Sequence, residues 1–224
     1  MVDFLTQLRE ECDPIWRRIY SHPFIRELTN GTLPQDKLKV YIQQDYLYLI
    51  EFAKCCALAA ARSSNPVTAK VFVKIAHQTF EKDLNYHRRL SKALGMEEKD
   101  LDEAKPLPTC FAYTNYMFGV AASGSSGEVA ASLCPCLWTY LELGGILGPA
   151  IRKRVTRPDD ALWSYYSAGE YKAIVDAVMK IISDSVARAS EEELERMRKH
   201  FKIASEYEYM FWDMAYGRKE WGLS

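Results

Sequence analysis

The 224-residue sequence predicts an all-α fold, a single-domain helical bundle. Three observations predict it. Apolar residues recur at three- and four-residue spacing through nearly the whole chain, as on the buried face of a helix. Four periodic stretches open on a capping-box pattern, in which a Ser or Thr and a Glu or Gln three residues on satisfy the first free backbone amides. These are Thr32 with Gln35, Ser125 with Glu128, Ser167 with Glu170 and Ser190 with Glu193. Glycine (11) and proline (9) are sparse, which disfavours turn-rich sandwiches and barrels.

In chain order, Phe4, Leu5, Leu8, Cys12, Ile15, Trp16 and Ile19 share one helical face and predict a first helix. Asn30-Gly31 reads as a turn before a helix, because neither flank alternates with period two. From Thr32-Leu33-Pro34-Gln35, with its early proline, a helix runs unbroken to about Ser64. Asn65-Pro66 caps a further long segment that ends at Leu94-Gly95, with glycine in the usual stop position. Pro106 and Pro108 mark a linker, and a helix follows from about Thr109 to Ala122. The three serine boxes start helices near 126–154, 168–188 and 190–217, with a short helix near 159–166. Pro135 inside the apolar run Val129–Ile151 removes one backbone hydrogen bond, so a kink beside Cys136, or a helix that begins there, is expected. The sum is about seven or eight helices, several about 20–30 residues long, which must pack side by side. No repeat, low-complexity tract or boundary interrupts them, so residues 1–224 read as one domain.

The formal net charge of −1 argues against nucleic acid as the main partner. No stretch approaches about 18 uncharged apolar residues, so no membrane span is expected. Met1-Val2-Asp3-Phe4 lacks a basic region followed by an apolar run, so no secretory signal is read and a cytoplasmic location is expected. Cysteines 12, 55, 56, 110, 134 and 136 then read as thiols. Cys134-Pro135-Cys136 lacks the spacing of a zinc pair.

Three chemistries can be set against these residues. Di-iron bundles need Glu-x-x-His pairs on facing helices. His77, His87 and His200 have no such glutamate; His77 with Glu81 and Asp83 with His87 are four apart, but no second helix matches them. Hydrogen-bonded or solvated histidines, and no metal, are the preferred reading. No histidine lies close in sequence to a cysteine, so most of the cysteines read as core thiols. Cys136 stands out, with Tyr140 one turn on and Pro135 beside it. Asp45 sits in an apolar, aromatic run with Tyr41 and Tyr48 on its face, and Glu208 has Phe211 and Trp212 on its own; Glu142 follows the pattern less strongly. Acids so placed must be paired or hydrogen-bonded. Either tyrosine hydroxyls satisfy them structurally, or acids and rings together form a pocket for a flat, nitrogen-rich heterocycle. Tyr113 and Tyr166 could join such a pocket or simply pack.

The ordered set Gln44-Asp45-Tyr46-Leu47-Tyr48, Ala112-Tyr113-Thr114, Pro135-Cys136-Leu137-Trp138, Trp163-x-x-Tyr166 and Tyr207-Glu208-Tyr209-Met210-Phe211-Trp212 resembles the TenA / thiaminase II family over essentially the whole chain. The resemblance implies a haem-oxygenase-like all-α fold, a homotetramer and no cofactor. It implies hydrolysis of 4-amino-5-aminomethyl-2-methylpyrimidine, thiamin or both to 4-amino-5-hydroxymethyl-2-methylpyrimidine, in thiamin salvage. The family's catalytic cysteine falls on Cys136, its acid/base glutamate on Glu208 and its pyrimidine-holding aspartate on Asp45. Its site tyrosines fall on Tyr48, Tyr113, Tyr140 and Tyr166, with Phe211 as a stacking ring. The Trp163–Tyr166 spacing is one residue short, which leaves Tyr165 and Tyr166 as alternatives. The competing readings are a haem-oxygenase-like di-iron oxidase, which needs more His/carboxylate pairs, and a non-catalytic pyrimidine-binding protein.

Overall fold

The computed structural model describes residues 3–151, 165–166 and 168–222. Their regular structure is helical, with no strand among the described residues. The helices are α1 (Phe4–Glu11), α2 (Asp13–Tyr20), α3 (Pro23–Asn30), α4 (Gln35–Arg62), α5 (Pro66–Gln78), α6 (Leu84–Ala93), α7 (Lys99–Asp102), α8 (Pro108–Ser123), α9 (Ser126–Ile151), α10 (Gly169–Val186) and α11 (Glu191–Gly217). A π-helical turn (Thr79–Asp83) joins α5 to α6.

Local chemistry explains most boundaries. The expected first helix is two, because Pro14 in the first turn of α2 has no amide to continue the ladder from α1. Asn65 caps α5 by accepting from the Val67 and Thr68 amides. Ser125 and Glu128 form the full reciprocal box: the Glu128 amide donates to Ser125 Oγ at 3.2 Å and the Ser125 amide to Glu128 Oε2 at 2.8 Å. Ser190 caps α11, but the Glu193 carboxylate accepts from the Ser125 hydroxyl instead of closing its own box.

Three expectations are corrected. The Thr32–Gln35 box does not form: Gly31, at φ 72°, ends α3 in a left-handed turn, and the Thr32 amide is taken by the Glu27 carbonyl at 2.8 Å. Of the two outcomes expected at Pro135, a helix that begins there is not observed: α9 runs through it. The sequence reading also missed an apolar run: Ser126–Pro149 is long and apolar enough to cross a membrane by length and composition, at mean hydropathy 1.3, although Glu128 and Glu142 interrupt it. That surface is 72% buried inside the bundle, where α9 packs on α8, α10 and α11. Ser167, Trp163 and most of the expected 159–166 helix lie outside the described residues; Tyr165 and Tyr166 are helical.

α4 is the central helix, packed on α5, α8, α6 and α11. One buried apolar cluster runs from Leu8 in α1 to Ala215 in α11. Its aromatic spine is fixed by geometry. Tyr41 stacks on Trp212 at 5.2 Å, and Trp16 Nε1 donates to Ser205 Oγ at 3.0 Å. This spine anchors α4 and α11 against each other where their acidic residues sit.

Candidate active site

Helical spacing brings the site together. α4 presents Tyr41, Asp45 and Tyr48 on one face, α9 presents Cys136, Thr139 and Tyr140, and α11 presents Glu208, Phe211 and Trp212. Asp45, Tyr48, Cys136, Tyr140, Glu208 and Phe211 line a cavity of about 10 Å³. A second cavity of about 30 Å³ shares Asp45, Cys136 and Tyr140 and extends to Tyr166, Gln78, Thr79 and Asp83. The structure therefore brings together the residues singled out in the sequence. Tyr113 joins through Glu208, and Tyr166, not Tyr165, lines the cavity. Glu142 is elsewhere, half-buried, accepting from the Tyr20 hydroxyl at 2.6 Å. Three larger surface grooves, about 340, 450 and 690 Å³, lie outside this cluster; the largest of them shares Asp83 with it.

Each acid has defined partners. Asp45 Oδ2 accepts from the Tyr41 hydroxyl at 3.2 Å and faces His87 Nε2 at 2.6 Å. The other ring nitrogen, Nδ1, is 2.8 Å from the Asp83 carbonyl, which only accepts, so Nδ1 carries a proton. Burial of His87 opposes its charge, but the bonds to Asp45 and Asp83 outweigh burial and raise its proton affinity. Both ring-nitrogen contacts therefore favour the protonated imidazole, and Asp45 Oδ2 is held between His87 and Tyr41. Glu208 Oε1 accepts from the Tyr113 hydroxyl at 2.8 Å, and Thr139 Oγ1 stands 3.5 Å from Oε2. Burial pushes Glu208 up to about 8, which the Tyr113 bond only partly offsets.

Cys136 is half-buried on α9 and lines both cavities. Burial, then the nearby Glu208, pushes its thiol well above the ordinary range, while the Tyr48 hydroxyl beside it acts the other way. The resting site therefore holds a neutral thiol next to a neutral glutamic acid near pH 7. Asp83 is also raised, to about 7, by burial.

Sequence reasoning missed Gln78 and Thr139, and it read His87 as a hydrogen-bonded or solvated histidine without placing it or Asp83 at the site. The four-residue spacing of Asp83 and His87 was the available signal, but it pointed to a half-formed metal pattern. Among the described residues no three His, Cys, Asp or Glu side chains cluster so as to hold a metal ion. The π turn that positions Thr79 and Asp83 leaves no mark in apolar periodicity; such turns recur at functional sites.

Residues 9–218 match the family described as TENA/THI-4/PQQC. The chain is 32% identical over 228 residues, covering all of both chains, to an aminopyrimidine aminohydrolase of Halalkalibacterium halodurans. Its structure superposes on a TenA homologue from P. horikoshii OT3 with a TM-score of 0.89 and 27% identity, covering 96% of this chain and 99% of that one. It also superposes, at 17% identity and a TM-score of 0.79, on a Shewanella denitrificans domain of heme oxygenase-like fold, covering 97% of this chain and 94% of that one. The all-α bundle thus has the haem-oxygenase-like fold, and the chain belongs to the TENA/THI-4/PQQC family.

Proposed function

We propose that this protein hydrolyses aminopyrimidine compounds, 4-amino-5-aminomethyl-2-methylpyrimidine, thiamin or both, to 4-amino-5-hydroxymethyl-2-methylpyrimidine in thiamin salvage. The observation that carries this reading is one cavity lined by Cys136, Glu208 and Asp45, in a chain similar along its full length to an aminopyrimidine aminohydrolase. Asp45 Oδ1 accepts from the ring amino group, while the Tyr41 and His87 bonds to Oδ2 hold the carboxylate in place. Phe211 and the tyrosines supply apolar walls for a flat ring. The ring is larger than a cavity of about 10 Å³, so its entry parts the lining rings and merges the two spaces.

Because Cys136 and Glu208 both start protonated, a ring nitrogen of the substrate serves as the base that starts the reaction. Glu208 gives its proton to that nitrogen and takes the thiol proton as sulfur bonds to the adjacent ring carbon. The electron pair of the resulting enamine expels the substituent from the exocyclic methylene; a protonated amine leaves as ammonia with the carbon–nitrogen pair. Water adds to the exocyclic carbon and loses a proton to solvent. The carbon–sulfur bond then breaks, with the ring N–H proton returning through Glu208 to the thiol. Tyr48 and Tyr140 position Cys136 and the incoming water. No metal or cofactor enters these steps.

The continuous core supports reading residues 1–224 as one domain. We also read the protein as a cytoplasmic homotetramer; a monomer mass in sedimentation would overturn the tetramer. For the activity, the protein is incubated with each substrate, with and without chelator, and products are followed by mass spectrometry. Hydroxymethylpyrimidine at equal rates with and without chelator is expected. No product from either compound overturns the proposal, as does product that requires added metal.

A further inference from the structure

The second cavity holds chemistry that the steps above do not use. Gln78, 7% exposed, lines it at the end of α5. Its Nε2 donates to Glu170 Oε1 at 3.2 Å. A carboxylate only accepts, so this bond fixes which way round the amide sits. The opposite atom, Oε1, is buried and has no hydrogen-bond partner. Native proteins leave few buried polar atoms in that state, so an orphaned acceptor beside an active site calls for a donor from a ligand. The Asp83 carboxyl and Thr79, both on the π turn, line the same space. At about 30 Å³ it has room for one molecule the size of water. An ammonium group is that size and carries N–H donors for both Gln78 and Asp83. The quaternary nitrogen of a thiazolium ring has no N–H to give to either.

We propose that Gln78 and Asp83 form the subsite for the departing amine, so that the site selects pyrimidines bearing a protonated primary amine on the exocyclic methylene. The inference rests on the aminopyrimidine reading of the adjoining cavity. With the ring held by Asp45, the substituent projects past Cys136 and Tyr140, which both cavities share, into this space. The Asp83 carboxylate holds the ammonium form, so the carbon–nitrogen bond breaks with its electron pair on nitrogen and ammonia leaves without a further proton transfer. The residues belong to binding and leaving-group placement; the ring chemistry stays with Cys136 and Glu208.

The test measures binding by calorimetry in a Cys136→Ser background, where turnover does not consume the ligand. The two probes are 4-amino-5-aminomethyl-2-methylpyrimidine and 4-amino-2,5-dimethylpyrimidine, which lacks the amine. The parent should bind the aminomethyl compound at least about tenfold more tightly, the size of one to two buried hydrogen bonds. Gln78→Leu should weaken that ligand by about 5–100-fold and leave the dimethyl compound within about threefold. Asp83→Asn, which keeps the side-chain volume, should cut the same preference and carries the test if Gln78→Leu does not fold. A preference unchanged in both variants, or absent in the parent, overturns the subsite while leaving the hydrolase reading intact. Failure of both ligands to bind the parent overturns the hydrolase reading itself.

Discussion

Replacing Glu208 with glutamine removes a carboxyl that the fold buries among Tyr113, Thr139 and Cys136. Burial raises Glu208 from the ordinary 4.5 to about 8. The folded protein therefore holds a proton that the unfolded chain has already released across that interval. Wild-type stability must fall as pH climbs from about 4.5 to about 8, then level off, because the slope follows the difference in bound protons. At about 1.36 kcal/mol per pH unit, the fall amounts to about 3–5 kcal/mol by pH 9. The replacement amide does not titrate and still accepts from the Tyr113 hydroxyl, so E208Q escapes that loss. Urea unfolding of both proteins at pH 5 and pH 9 reads the difference directly, since every other group cancels. The two should be within about 1 kcal/mol at pH 5, with E208Q more stable by about 3–5 kcal/mol at pH 9. An equal difference at both pH values would refute the assignment of a buried, proton-holding Glu208.

Other outcomes follow from the same contacts. His87→Ala leaves the Asp45 carboxylate buried without its cation and should cost about 3–5 kcal/mol in urea unfolding at pH 6. Because His87 is raised in the fold, the pair's contribution is full below about 6.5 and fades as pH passes the raised value, so the cost should be smaller at pH 9. In the proposed mechanism Glu208 acts first as an acid, so kcat/KM should fall above about pH 8; Tyr113→Phe, which removes a bond favouring the carboxylate, should move that limb upward. Iodoacetamide at pH 7 should alkylate Cys136 more slowly than a free peptide cysteine, followed by mass mapping, because the thiol is held neutral. Asn65→Ala should lower stability by about 1 kcal/mol through the lost α5 cap.

Helix existence was legible wherever apolar spacing and a cap agreed, as at Asn65 and Ser125. At Thr32 the helix was legible but its cap was not, because Gly31 had already committed the Thr32 amide to ending α3, a choice between neighbouring elements that one pattern does not disclose. Asp45 and Glu208 were legible because a charge inside an aromatic run must find partners. The identity of the Asp45 partner was not: His87 lies 42 positions along the chain and reaches it only after α6 folds back on α4. Cys136 drew attention through its neighbours Pro135 and Tyr140. Its neutral state depends on burial beside Glu208, which no spacing reports. Gln78 carried no signal inside the long segment expected from Asn65 to Leu94; only the direction of its amide, set by Glu170, gives it meaning.

In the proposed mechanism Cys136 and Glu208 together carry the displacement on a pyrimidine held by Asp45. The most direct measurement compares hydroxymethylpyrimidine formation by the wild type, Cys136→Ser and Glu208→Gln, with calorimetric binding of 4-amino-2,5-dimethylpyrimidine to each. Both variants should bind the pyrimidine within about tenfold of wild type yet lose at least about 100-fold in turnover, the scale of a missing nucleophile or acid. Turnover by Cys136→Ser within about tenfold of wild type would contradict that mechanism.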